Sequence, residues 1–271
     1  MAQTPEIVDH YGAHYRQFAA EVYAEVRRAA FGEDVRQNSW LTIAELDRFV
    51  SRLRLQSTKR LLDVGCGSGG PCLHVARTTG CEVIGVDLEV EGVVEANRLA
   101  RDADLEGRAA FLHADASDPL ALEQSSFDAI MCIDAINHLS GRPRVIRDWA
   151  RLLRPGGRLL FTDPVVITGI VDSREIALRT SIGYFLFVPA GGNERLLVDA
   201  GLTVLDIEDT TDDLADIAGR RRDARAEHAQ ALREIEGNAA FEGRQRFFDT
   251  VATLARERRL SRFVYTAEMQ A

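Results

Sequence analysis

The chain has 271 residues, 46% of them hydrophobic, and carries a formal charge of −9. This is enough for one α/β unit with additions and a core that needs no staples. The acidic balance argues against a nucleic-acid partner, since phosphate neutralisation takes a basic footprint that is missing here. No stretch approaches the ~20 apolar residues of a membrane span, so no membrane partner is expected.

Residues 1–54 read as an N-terminal helical cap, with Ile7, Tyr11, Phe18, Val22, Val26 and Phe31 at helical spacing. The start, Met1 to Glu6, has neither the basic flank nor the apolar run of an export signal. Cys66, Cys72, Cys81 and Cys132 lack the paired C-x-x-C spacing of a zinc site and read as buried thiols in a reducing compartment. A cytoplasmic location is therefore expected. From residue 55 to 271 the chain reads as one structural unit. Strands at 59–64, 82–86, 109–113, 127–133 and 157–162 alternate with helices near 70–79, 90–103 and 142–153, a doubly wound α/β pattern. An insertion follows at about 164–193, then strands from Leu202 to Glu208 and from Arg262 to Glu268. Two charged helices between about 211 and 258 read as a solvated outer layer, and Arg220-Arg221-Arg222 as surface.

The chemistry concentrates at Leu61-Leu62-Asp63-Val64-Gly65-Cys66-Gly67-Ser68-Gly69-Gly70, a buried strand running into a glycine turn and a helix. Such a turn takes positive φ and lets a ligand approach the backbone, which a Cβ would obstruct. The next strand ends at Asp87, followed by Leu88, where a carboxylate can accept both hydroxyls of a ribose. Gly65, Gly67 and Gly70 also satisfy G-x-G-x-x-G, so a nicotinamide oxidoreductase is an alternative. Asp63 weighs against it, because a carboxylate there repels a pyrophosphate and attracts a cation. A third strand closes at His113-Ala114-Asp115-Ala116, placing a carboxylate where an adenine amino group can donate. A fourth ends at Ile133-Asp134, and Leu152-Leu153-Arg154-Pro155-Gly156-Gly157 leads into a fifth.

In this order the segments resemble the class I S-adenosylmethionine-dependent methyltransferases, from about Asn38 through the last strand. The resemblance implies a Rossmann-like, seven-stranded methyltransferase sheet with its last strand antiparallel, an N-terminal helical cap and an insertion after strand five. It implies S-adenosyl-L-methionine as cofactor, S-adenosyl-L-homocysteine as product and no metal, since the leaving group is already activated. Gly65 and Gly67 would lie under the methionine part, Asp87 would hold the ribose, and Asp115 with Ala116 would meet the adenine. Asp63, Leu88 and Ile133 join this cofactor set. Trp40 joins it as well, because relatives fold the segment around Gln37-Asn38-Ser39-Trp40 over the sulfonium.

The fourth strand lacks the Pro-Pro-aromatic ending by which base-modifying relatives grip nucleic acid, so a small-molecule acceptor is expected, taken by a monomer or a homodimer. Methyl transfer to O, N or C remains open. His138 is the expected base or orienter, one turn beyond strand four, with Asp134 four residues earlier on a shared helical face. Asp134-x-x-x-His138-Leu139 resembles a segment of phosphoethanolamine methyltransferases, similar to sarcosine/dimethylglycine and natural-product enzymes. There the histidine partners an N-terminal tyrosine, assigned here to Tyr15, with Tyr11 and Tyr23 as competitors. The apolar insertion Ser181 to Pro189 offers an acceptor pocket, with Arg179 and Tyr184 as substrate residues. A non-catalytic cofactor-binding or regulatory protein is the remaining alternative.

Overall fold

The computed structural model describes residues 20–270, so Tyr15 and Tyr11 lie outside the described residues. Strands β1 (Arg60–Val64), β2 (Glu82–Asp87), β3 (Ala109–His113), β4 (Phe127–Cys132) and β5 (Leu153–Ile167) are parallel, in the order β3-β2-β1-β4-β5. The sheet continues with β8 (Leu260–Met269), antiparallel to β5, and then β7 (Leu202–Asp209), antiparallel to β8. These are the seven strands expected from the sequence. A two-residue β6 (Val188–Pro189) adds an eighth beside the end of β5. β5 extends to Ile167, beyond the expected boundary at 162, because its extra residues pair with β6 and, past a register shift, with β8.

Neighbouring residues of β1 point to opposite faces and both are buried, as a sheet covered on two sides requires. Leu61 joins Met131, Leu160 and Val264 under helices α2 (Ile43–Leu53), α3 (Gly70–Thr79) and α4 (Val90–Asp102). Leu62 joins Ile130, Leu159 and Trp149, the last from α5 (Arg142–Leu152) on the far face. The strand order reverses between β1 and β4, which opens a crevice at the carboxyl ends of the strands.

Three helices, not two, occupy the stretch before β8: α8 (Thr211–Glu227), α9 (Ala229–Glu236) and α10 (Asn238–Arg256). Nor are they only a solvated layer. Leu214 and Ile217 of α8 and Phe247, Phe248 and Val251 of α10 build a third core with Ala30 and Phe31 of α1 (Glu21–Phe31). Their apolar residues keep helical spacing, but abundant Arg, Asp and Glu on the remaining faces lower the average hydropathy and hide the stripe. The insertion folds as α6 (Ser173–Arg179), started by a capping box between Asp172 and Glu175, and a loop that leads through β6 to α7 (Gly192–Asp199).

The turn after β1 binds the cap segment closely. Gly65 has φ +77°, and a Cβ there would stand 2.4 Å from that of Ala135. At Gly70, where α3 begins, a Cβ would lie 1.6 Å from the carbonyl oxygen of Val35. Only a bare Cα lets the cap chain cross here. Gly70→Ala is therefore expected to cost about 1–3 kcal/mol by overpacking, read as a lower urea midpoint with an unchanged slope. An unaltered midpoint would show that the crossing is loose.

Candidate functional site

A cavity of about 250 Å³ opens at the carboxyl ends of β1, β2 and β4. Eight of the nine residues expected at a cofactor line it: Asp63, Gly65, Gly67, Asp87, Leu88, Asp115, Ala116 and Ile133. Asp87 is held by the turn it faces, its Oδ2 accepting the Gly67 N–H at 2.7 Å and its Oδ1 the Glu89 N–H at 2.9 Å. Burial nonetheless raises its pKa above the ordinary carboxylate value. Asp63 is 4% exposed, and burial pushes its pKa up to about 7 against the opposing hydrogen bond of the Cys72 thiol. The floor of the cavity thus carries a carboxyl group that gains from a nearby cation. The cap supplies part of the roof through Asn38 and Ser39, from the segment expected there, and through Arg36, which sequence reasoning did not single out; the Ser68 hydroxyl donates to the Arg36 carbonyl at 3.2 Å.

The ninth residue, Trp40, does not line this cavity. Its indole packs against Phe247 and Phe248 of α10, ring centroids 6.3 and 6.0 Å away, and the Arg221 guanidinium lies 5.1 Å from the ring. Arg221 is accordingly half-buried rather than a free member of a surface arginine run; it also donates to the carbonyls of Asn38 and Ser39. Trp40 belongs instead to a second, smaller chamber of about 40 Å³, walled by Phe185, Phe247 and Phe248 and reached by Arg179. Arg179 is 2% exposed, its guanidinium 4.5 Å from the Phe185 ring and 5.1 Å from that of Phe247. Tyr184 differs from the expectation, since its ring is about half exposed and only its backbone carbonyl reaches the site.

Asp134 and His138 line both spaces. They do not share a helical face. Asp134 sits at φ +52°, a left-handed break after β4, and only Ile136–His138 form a 3₁₀ turn. The Asp134 carboxylate accepts the Trp40 backbone N–H at 2.9 Å, the Thr162 hydroxyl at 2.7 Å and Arg262 Nε at 2.8 Å. Arg262, fully buried on β8, also donates to Glu45 at 2.6 Å. Thr42 caps α2 by accepting the Glu45 N–H at 3.2 Å, but the Glu45 side chain turns to Arg262 rather than back to the cap. The carboxylate of Asp134 is thereby committed to holding structure. His138 places Nδ1 2.8 Å from the Tyr184 carbonyl, which can only accept, so Nδ1 carries the proton and Nε2 is the basic nitrogen. Burial pushes its pKa down to about 4, which keeps the imidazole neutral at physiological pH.

A methyltransferase-domain family model matches residues 62–161. The 27-O-demethylrifamycin SV methyltransferase of Amycolatopsis mediterranei (strain S699) is 31% identical over 203 residues, spanning 70% of this chain and 74% of that one. The chain belongs to the S-adenosylmethionine-dependent small-molecule methyltransferases. Among solved structures, Haemonchus contortus phosphoethanolamine N-methyltransferase 2, in complex with phosphomonomethylethanolamine and S-adenosylhomocysteine, shares the fold of the methyltransferase. The TM-score is 0.81 at 19% identity, over 98% of this chain and 61% of that one. The [4+2]-cyclase SpnF superposes with a TM-score of 0.76 at 25% identity, over 99% and 97% of the two chains.

Family membership sets aside the nicotinamide alternative, and the cavity agrees with it. Its Asp63 carboxyl, pushed up to about 7 by burial, ionises most readily beside a cationic ligand, while the Asp87 carboxylate at the end of β2 accepts the Gly67 and Glu89 N–H groups. No helix among the described residues is long and apolar enough to cross a membrane.

The Arg262 network has a testable cost. Arg262→Leu strands Asp134 and Glu45, two carboxylates whose side chains are 2% and 5% exposed, and is expected to destabilise by about 3–5 kcal/mol. Chemical unfolding measures this. A change below 1 kcal/mol, on the order of a surface pair, would mean that the carboxylates find other partners.

Proposed function

We propose that the methyltransferase methylates a hydroxyl oxygen of a small natural product, with His138 receiving the hydroxyl proton. The observation that carries this reading is the position of His138, a neutral imidazole lining both the cofactor-sized cavity and the aromatic chamber. The name of the Amycolatopsis relative specifies an O-demethylated substrate, which supports oxygen over nitrogen or carbon. In this assignment Asp87 accepts the ribose hydroxyls of S-adenosyl-L-methionine, Asp115 and Ala116 meet the adenine, and Leu88 and Ile133 supply apolar walls. Gly65 and Gly67 pass beneath the methionine part, and Asp63 answers its positive charge. Residues 1–54 act as a cap on the unit formed by 55–271, with Trp40 and Arg179 on the acceptor side.

When bound, S-adenosyl-L-methionine supplies a methyl group already activated on a cationic sulfur, and S-adenosyl-L-homocysteine is the product. What this chain contributes is placement and a proton acceptor. Asp134 holds the Trp40 backbone, and so the aromatic wall, in a fixed position beside the imidazole. Trp40, Phe185, Phe247 and Phe248 keep water from the hydroxyl. His138 Nε2 accepts the proton, while the Tyr184 carbonyl holds Nδ1–H and steadies the imidazolium that forms.

Incubation with methyl-labelled S-adenosyl-L-methionine and a natural-product extract, followed by mass spectrometry and NMR of the labelled product, tests the reading directly. A labelled methoxy group is expected; a labelled N-methyl or C-methyl group would overturn it.

Asp87→Ala removes acceptors for two hydroxyls, each hydrogen bond to a charged group contributing roughly 1.5–3 kcal/mol. Calorimetry with S-adenosylhomocysteine is expected to show affinity lower by at least tenfold, and equal affinity would unseat Asp87. For His138→Gln, turnover should fall about 10²–10⁴-fold with unchanged homocysteine-product affinity. The pH dependence has a definite sign. Protonation abolishes the base, and the folded pKa of about 4 lies below the ordinary 6.5, so kcat at saturating S-adenosyl-L-methionine, whose positive charge keeps Asp63 ionised, holds through pH 6.5 and falls only toward pH 4. The same depressed pKa makes the folded state lose stability as pH drops from 6.5 to 4. An acid limb centred near 6.5 would contradict a buried neutral base.

A further inference from the structure

Asn137, in the middle of the Ile136–His138 turn, has no part in the assignments above. Its backbone carbonyl accepts the Leu186 N–H at 2.8 Å, and its side chain lines the aromatic chamber with 0% exposure. Neither Nδ2 nor Oδ1 has a hydrogen-bond partner among the described residues, and neither does the buried hydroxyl of Ser39, which lines the same chamber. A carboxamide buried with both its donor and its acceptor unmet is costly, and such groups in folded proteins are completed by something. The rings of Trp40, Phe185, Phe247 and Phe248 offer it apolar walls.

A carboxamide sets a donor beside an acceptor in one plane. Its complement is a neighbouring pair of oxygens, one accepting from Nδ2 and the other donating a hydroxyl proton to Oδ1. The chamber, at about 40 Å³, takes the polar edge of a molecule and not its bulk. His138, the adjacent residue in the turn, lines the same wall.

We propose that Asn137, assisted by Ser39, is a specificity-determining residue that reads a second oxygen beside the hydroxyl to be methylated. The acceptor class is a flat ring bearing two vicinal hydroxyls, of which the one to be methylated accepts from Nδ2 and gives its proton to His138 while its neighbour donates to Oδ1. Flatness follows from the carboxamide, whose donor and acceptor lie in one plane and match a coplanar oxygen pair. The proposal deepens the hydroxyl-methylation reading of the same site and rests on it.

The test uses the full-length protein saturated with S-adenosylhomocysteine, with catechol and phenol as probes and calorimetry as the readout. The wild type is expected to bind catechol at least about tenfold more tightly than phenol, because an unmatched analogue leaves the carboxamide unmet. In Asn137→Leu, close in shape but apolar, that ratio should fall below about threefold with phenol and S-adenosylhomocysteine affinities unchanged. The thermal midpoint of this variant should be equal or higher, since no polar group is left unmet. A residue with a purely structural role would lower the midpoint and leave the ratio intact. The proposal is overturned if the wild type binds both probes equally or binds neither, or if the ratio survives in Asn137→Leu. Should Asn137→Leu fail to fold, the wild-type ratio and Ser39→Ala, expected to reduce it, decide the matter. Loss of S-adenosylhomocysteine binding by the wild type would instead strike at the methyltransferase site itself.

Discussion

The architecture of the site depends on one buried guanidinium. Arg262 reaches from β8 to Asp134 at the end of β4 and to Glu45 in α2, and Asp134 in turn holds the backbone of Trp40. Two carboxylates this deep would be expensive alone, and paired with one arginine they become a rigid joint. The joint connects the closing strand, the central sheet and the segment that roofs the cavity. It also accounts for the left-handed backbone at Asp134, a conformation that persists only where the surroundings over-determine it.

The glycine turn, Asp63, Asp87 and the Asp115-Ala116 corner were legible in the sequence because they depend on local constraints. A strand must end, a turn must take positive φ, and the next strand must present its last residue to the same crevice. Trp40 shows the limit of such reasoning. Its place near the cavity was readable, but which wall it forms depends on Phe247 and Phe248, some two hundred residues away in the chain. Arg221 was hidden for a related reason, since three consecutive arginines look alike until a helix turns one of them inward over aromatic rings.

Asp134 and Asn137 illustrate two different blind spots. A spacing of four residues suggests a shared helical face, yet the chain there makes a left-handed turn that the sequence does not announce, and the carboxylate is claimed by Arg262. Asn137 carries no sequence signal at all. A polar residue beside a histidine reads as an ordinary turn position, and only a folded environment reveals that both of its polar atoms are enclosed without partners among the described residues.

The position of β8 also sets an order of assembly. The last strand in the chain is not at the edge of the sheet but between β5 and β7. Until it is made, β7 has no neighbour to pair with and Asp134 and Glu45 lack their shared cation. On a ribosome, the parallel strands can form from local βα units and hold the Arg36 end of the roof, while Asp134, which holds its Trp40 end, still lacks the counter-charge of Arg262. The non-local contacts that complete the site are therefore the slow ones. A chain interrupted late in synthesis would carry the parallel sheet and its glycine turn yet lack the joint that fixes Trp40 against Asp134.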